Sequence, residues 1–317
     1  MIEKISYKDI PRNFLNEAGK DKFSLYPIEF NGVLFHHDRW SGIDETKVSF
    51  WAVIKQGVIQ SVLEFYLNDY DTNLLAAKAG NIQYIFTNPE IEIGQKRKAW
   101  QELIESFQLY RQTEGIKFCF IAVDNWESDL SILLQQNGFR YILTWGKCFL
   151  QKATKIELPA GYTVRNNKVE SDLPLILDMA DSYFTGGRFY LDASVGSEKA
   201  DKMYKDLIQN SYNNKKAEFV ILYNPENIAA GCFISSHIEY QFDKRFPVSS
   251  LRLLVYDKKR AGKGVASAFL SATSALLLEK REIVESGLEM HNLASLKMHI
   301  NAGYKVNNIY SAYHSWL

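Results

Sequence analysis

The 317-residue chain has only three cysteines, Cys119, Cys148 and Cys232, too few and too scattered for a disulfide framework. They read as buried thiols of a reducing cytoplasm. No group of histidines and cysteines has the spacing of a metal site, so no metal is expected. Net charge is missing too. Lys and Arg together number 37, Asp and Glu together 37, so bulk charge gives no hint of a nucleic-acid partner, and none is expected. No apolar run is long enough to span a bilayer. The opening residues, Met1-Ile-Glu-Lys-Ile-Ser-Tyr-Lys-Asp9, carry charge throughout and lack a signal-peptide apolar region. The expectation is a cytoplasmic protein with no membrane partner.

What is present is an apolar content of 46% in a chain long enough for two cores. Strand and helix patterns alternate, which points to an α/β fold with a mixed α+β sheet. One order of elements occurs twice. Residues 81–88 read as a strand, 94–111 as a helix, 116–123 as a buried strand, 125–137 as a helix stopped by Gly138-Phe139, and 140–150 as a last strand. The second half repeats this order up to Gly303-Tyr304, about 165 residues later, as expected of a tandem duplication. The polar stretch 151–159 sets the expected boundary near Lys155, giving domains 1–155 and 156–317. Ahead of the first copy, residues up to about Phe30 read as irregular, and Asn31–His37 as a strand. Lys47–Lys55 and Val58–Leu67 read as a hairpin around Gln56-Gly57. His36 and His37, neighbours on a strand, would point to opposite faces, which favours a structural role.

The most informative stretch is Ser249–Tyr304. Ser249–Tyr256 reads as a half-buried strand, Asp257–Gly264 as a glycine turn, and Val265–Lys280 as a helix. Glu282–Glu289 reads as a strand and Asn292–Gly303 as a helix stopped by glycine. Gly262 and Gly264 let backbone approach a ligand. The unpaired N–H groups at the start of the next helix form a site for phosphate. Lys258, Lys259, Arg260 and Lys263 surround the turn with positive charge, although a solvated basic turn with breaker glycines has the same composition.

Ala261-Gly-Lys-Gly264-Val-Ala266 resembles the pyrophosphate loop of the GNAT acyltransferase superfamily, usually Gln/Arg-x-x-Gly-x-Gly/Ala. The leading Gln/Arg is replaced by Ala261, and Arg260 is the neighbouring candidate for the missing positive group. The family's second signature is matched by Asn292-Leu-Ala-Ser295, His299 and Gly303-Tyr304. The resemblance implies tandem GNAT-like domains. In the N-terminal copy Asn88–Gly94 lacks the glycine turn and carries Glu90 and Glu92, so that copy is expected to be degenerate, without acetyl-CoA. In the second copy the resemblance implies acetyl-CoA on Arg260, Ala261, Gly262, Lys263, Gly264, Val265 and Ala266. The amides of Leu253, Leu254 and Val255 would hold the pantetheine arm, with Asn292 and Ser295 beside it.

Ser182–Asp192 is expected to be a loop after a helix that Ser171 caps. It gathers Tyr183, Phe184, two glycines, Arg188 and Phe189, where a structural loop would be polar. An arginine among aromatics suits a nucleotide: guanidinium on phosphate, ring on base. A packed crossover loop has the same composition. Tyr-Phe-x-Gly-x-Arg-Phe-x-x-Asp, followed by Ala200 and Tyr204, is similar to bacterial enzymes of the TDP-fucosamine acetyltransferase group. These acetylate nucleotide-linked amino sugars. The implied partner is such a sugar, with a dTDP-linked amino-dideoxy sugar favoured, and the implied reaction is direct acetyl transfer to its amine.

At the position of the family's acid tyrosine stands His299, either the thiolate's acid or a residue lining the cleft; Tyr304 and Tyr313 are its rivals, and Tyr313 is also a candidate for contact with substrate. His237 and Glu239, two apart on one strand, are the candidates for a base. Another amine as acceptor, or acyl-CoA binding without catalysis, are the alternatives. The oligomeric state, monomer or homodimer, stays open.

Overall fold

The computed structural model describes residues 2–317 except 19, 28, 42, 43, 45, 182, 183, 243 and 263, with no side chain described at 21. Among the described residues there are twelve strands. They are β1 (Ile2–Ile5), β2 (Val48–Lys55), β3 (Val58–Leu67), β4 (Ala79–Thr87), β5 (Phe118–Asp124), β6 (Arg140–Leu150), β7 (Thr163–Asn166), β8 (Ala217–Tyr223), β9 (Ala229–Gln241), β10 (Arg245–Tyr256), β11 (Ile283–Glu289) and β12 (Lys305–Trp316). The chain forms two compact units. The first holds Met1–Thr144, Gln241–Lys244 and Ile309–Leu317; the second holds Trp145–Tyr240 and Arg245–Asn308.

In the first unit the strands run β1-β2-β3-β4-β5, with the end of β12 beside β5. The β2–β3 hairpin turns at Gln56-Gly57 as expected, both with positive φ, 52° and 76°. β4 and β5 pair in parallel over four residues only, Ala79–Ile82 with Phe118–Ile121. Their crossover is the Ile93–Glu114 helix, which buries Trp100, Leu103, Ile104 and Phe107 against the sheet.

The expected boundary at Lys155 is corrected, because the units share out the ends of β6 and β12. Tyr310 to Trp316 pair antiparallel with Asp124 to Phe118. Arg111, fully buried, donates to Ser315 Oγ at 2.9 Å, Ser315 O at 3.1 Å and Lys117 O at 3.3 Å, which fastens the last strand to the first unit. Two early segments also differ from expectation. Residues 2–5 form a strand and Arg12–Glu17 a helix. Asn31–His37 is no strand but the start of a helix, Gly32–Ser41, whose buried residues Gly32, Phe35, His36 and Trp40 follow helical spacing. A Cβ on Gly32 would collide with the Leu15 carbonyl, so only glycine lets this helix lie so close. His36 is buried and donates from Nε2 to Ala18 O, the structural role expected of it.

The second unit orders its strands β6-β11-β10-β9-β8-β7. Alternation along β8 sorts side chains to two cores. Val220 and Leu222 pack with Val265, Phe269 and Met298 of the Val265–Leu278 and Leu293–Asn301 helices. Phe219 and Ile221 pack with Ile176, Met179 and Ile208 on the other face. Ser171 does not cap a helix. It lies in the 3₁₀ turn Glu170–Asp172, ahead of the Leu173–Met179 helix, because Pro174 is better placed in a helix's first turn than its interior. The helix Ser197–Asn213 follows. The duplication is visible in matching stops: Gly138 and Gly303 both take positive φ, 81° and 96°, where the Ser128–Gln136 and Leu293–Asn301 helices end.

Candidate active site

The site is built where β10 and β11 separate. They pair in parallel over four residues, and the ladder ends at Leu251 opposite Ser286. β11 stays paired to β6 as far as Glu289 opposite Trp145. Beyond Leu251, β10 therefore runs on without β11 beside it. Asp257 N–H is bonded to Ala230 O. Alternation then turns the backbone groups of Tyr256 and Leu254 to the gap, and those of Leu253 and Val255 to β9. Of the three residues expected to offer amides, Leu254 is the one so aimed; Leu253 and Val255 are buried by their side chains in the core.

The glycine turn follows directly. Asp257 accepts from the N–H groups of Lys259 and Arg260 and caps the single helical turn Lys258–Ala261. Tyr256 donates to Gly262 O at 3.0 Å. Gly262 and Gly264 take φ of 71° and 82°, the second as the N-cap of the Val265–Leu278 helix, and no side chain caps that helix. A Cβ on Gly264 would meet nothing within 4 Å, and one on Gly262 only Tyr162 Oη at 3.4 Å. Among the described residues nothing closes over either glycine, and the helix dipole points positive charge out of the turn. Ala261 and Val265 are buried and offer backbone alone, with Ala266 partly buried beside them. Ala261's burial in the core gives the physical reason for the motif's departure there. Arg260 is tied to Asp257 at 3.1 Å and Asp178 at 3.5 Å, so its charge is already shared. Lys263 lies outside the described residues. In the first unit the corresponding helix has Glu92 at its N-cap, a carboxylate where the second unit has Gly264.

At the end of the ladder lies His299, buried on the Leu293–Asn301 helix. Its Nδ1 is 2.8 Å from Ser295 O, a pure acceptor, so Nδ1 carries the proton. Nε2 lies within hydrogen-bond distance of Ser286 Oγ, at 3.0 Å. Burial pulls the imidazole below its ordinary value, against a smaller opposing effect of the Ser295 carbonyl. Both ring nitrogens are bonded, and burial disfavours the histidinium expected near working pH. Tyr304 is no readier as an acid: it is buried, shares a hydrogen bond with Ser274, and burial pushes its phenol up. Tyr313 is in the first unit's core, packed with Ile121 and Phe139, and has no surface for a substrate. Asn292 serves as N-cap of the same helix, accepting from Ser295 N–H at 3.1 Å.

The expected bases are both paired. His237 pairs with Glu218 at 3.0 Å, which also binds Lys280 and Asn166. Glu239 is exposed and faces Arg245 at 3.5 Å. Sequence reasoning missed instead a buried triad on the opposite face of β11 from His299. Lys147 contacts Glu285 at 2.7 Å, and Tyr240 donates to the same carboxylate at 3.0 Å. The signal available was alternation: Glu285, Gly287 and Glu289 share one strand face.

That face meets the aromatic loop. Phe184 stacks on Tyr204 with centroids 4.0 Å apart and planes 20° off parallel, and Tyr190 lies beyond, bonded to Asp201. A Cβ on Gly187 would collide with the Tyr204 hydroxyl, and one on Gly186 would come within 2.8 Å of His291 Nε2. The two glycines thus let the loop lie against both. Arg188 opens a short helix, Arg188–Leu191, where a loop is expected, and its guanidinium lies 4.2 Å from the Phe189 ring centroid. Phe189 is fully buried and is core, not substrate wall. Tyr183 lies outside the described residues.

No family model matches the chain. Across the whole chain the fold is similar to a GCN5-related N-acetyltransferase from Sphaerobacter thermophilus, with a TM-score of 0.65, 12% identity, and 95% of that chain covered. The fold is that of the GCN5-related N-acetyltransferases. A tandem GNAT protein from the clavulanic acid biosynthesis pathway matches over the whole chain and 98% of its own, with a TM-score of 0.54 and 10% identity. In sequence, the chain is 22% identical over 271 residues to the spore coat polysaccharide biosynthesis protein SpsD of Bacillus subtilis (strain 168), covering 81% of this chain and 84% of that one. The GNAT fold, mixed α/β and of tandem type, is as expected. No helix among the described residues is long and apolar enough to cross a membrane.

Proposed function

We propose that the second unit transfers an acetyl group from acetyl-CoA to the amine of a nucleotide-linked amino sugar, with a dTDP-linked amino-dideoxy sugar the favoured acceptor. One observation carries this reading: the β10–β11 ladder stops at Leu251 and Ser286, and the open, uncapped turn at Gly264 follows within the same crossover. That combination suits a long ligand with an amide-rich arm and a diphosphate. Backbone of Leu254 and Tyr256 would hold the arm, and Gly262, Gly264 and the first amides of the next helix the diphosphate. Acetyl-CoA supplies the activated acyl group. The protein's part is to orient an amine against it and exclude water. The SpsD likeness and the Phe184–Tyr204 stack beside Arg188 support a sugar nucleotide. The first unit, with Glu92 at the matching helix start, is proposed to bind no acetyl-CoA. The cytoplasm is the matching location.

Thiol release from acetyl-CoA in the presence of a dTDP-amino sugar tests the reading. Turnover supports it; tight acetyl-CoA binding without release favours a non-catalytic acyl-CoA protein. Arg188→Ala is expected to weaken the sugar nucleotide about tenfold or more, as loss of a charged phosphate contact does, and to leave acetyl-CoA affinity unchanged. Equal loss of both removes the loop from the acceptor site.

A further inference from the structure

The acceptor amine arrives as an ammonium and must lose a proton before its lone pair can attack. The carboxylates around the second unit's loop face are mostly engaged. Glu285 is held by Lys147 and Tyr240, Asp178 by Arg260, Asp181 by Lys205, Asp201 by Tyr190. Glu289 differs. Its carboxylate has no hydrogen-bond or ion-pair partner among the described residues, and the side chain is half-buried at the end of β11.

Its position is specific. Glu289 lies on the part of β11 that has left β10, two residues past the exposed Gly287, with Trp145 opposite it on β6. Tyr204 stands near enough that Glu289's charge, after burial, pushes the Tyr204 hydroxyl up, while Arg188 opposes. His291, two residues on, abuts Gly186 of the loop. Among the described residues, the charged and titratable groups on this face are Tyr204 from the Ser197–Asn213 helix, Arg188 of the loop acting on the same Tyr204, His291 from the turn, and the Lys147–Glu285 pair further along the sheet face.

Building on the acetyl-transfer reading above, we infer that Glu289 receives the acceptor amine, holding its ammonium against the Phe184–Tyr204 wall and taking the proton it must lose. The carboxylate takes one N–H proton; the nitrogen lone pair forms the C–N bond as the C–S bond breaks. The second nitrogen proton balances the one that the departing thiolate takes up, leaving amide and free thiol.

The test measures thiol release with dTDP-4-amino-4,6-dideoxyglucose, dTDP-3-amino-3,6-dideoxygalactose, glucosamine and spermidine, for wild type, Glu289→Gln and Glu289→Asp, across the range from pH 6 to pH 9.5. Glu289→Gln is expected to lower kcat/KM about a hundredfold or more near pH 7 for whichever amine is turned over. The deficit should shrink as pH nears the amine's own pKa, and Glu289→Asp should recover part of the rate. Acetyl-CoA affinity by calorimetry should stay within about twofold of wild type, since Glu289 lies outside the diphosphate turn. An unchanged rate and pH profile in Glu289→Gln overturns the inference, as does a parallel loss of acetyl-CoA binding. If wild type acetylates glucosamine or spermidine but neither dTDP sugar, the sugar-nucleotide reading fails while Glu289 is judged on the amine used. If no amine is acetylated, both fall.

Discussion

Single residues carry the strongest energetic statements. Lys147 and Glu285 are each less than a tenth exposed, so removing one partner leaves a charge stranded in the core. Lys147→Met is expected to destabilise the second unit by about 3–5 kcal/mol, and the double variant Lys147→Met/Glu285→Leu to recover most of that loss. Urea unfolding of the three variants decides it; equal loss in single and double variants contradicts the account. His36 makes a pH statement. Burial, helped by Arg39, lowers it to about 3 in the fold, from about 6.5 when unfolded. Between those values the unfolded chain binds more protons, so stability is whole above about pH 6.5 and falls on acidification, by up to about 1.4 kcal/mol per pH unit. Buried His299 acts in the same sense. His36→Gln should flatten the slope of unfolding free energy against pH between 6.5 and 4; an unchanged slope would assign it to other groups.

Elements show where sequence reasoning succeeded and where it ran out. The glycine turn, its helix and the strands around it were legible because turn chemistry and apolar periodicity are local properties. The end of the β10–β11 ladder was not, since pairing depends on which strands become neighbours. The surroundings of His299 were hidden for the same reason. Its residue type suggested an acid near neutral pH, but the packing of a helix against β11 buries it, and burial pulls the imidazole below its ordinary value against the opposing Ser295 carbonyl. The Gly32–Ser41 helix was misread because Asn31–His37 is too short a window to separate a period of 3.6 from one of 2. The Lys147–Glu285–Tyr240 triad joins three strands far apart in the chain, and alternation along β11 marks only the face on which Glu285 lies.

At the scale of the molecule, the duplication was readable from two glycine stops, whereas the distribution of β6 and β12 between the units was not. It has a consequence for dissection. A fragment ending at Lys155 lacks Ile309–Leu317, leaving β5 without its antiparallel neighbour and Arg111 without Ser315. That fragment is expected to aggregate or to lack fixed side-chain signals by NMR. Joining Ile309–Leu317 to it through a flexible linker should restore a dispersed spectrum; a well-folded 1–155 fragment would contradict the assignment of the last strand.

Bare backbone at Gly264 is proposed to cradle a diphosphate, and the rest of the assignment depends on it. Calorimetric titration of acetyl-CoA into wild type and Gly264→Val tests it most directly, because the new side chain would project into the open turn while the helix behind it is long and well packed. The αL strain itself should cost about 1–2 kcal/mol of stability, measurable separately by melting. Binding to wild type that falls at least about tenfold in the folded variant is the expected result. Acetyl-CoA bound equally well by both, or by neither, would contradict it.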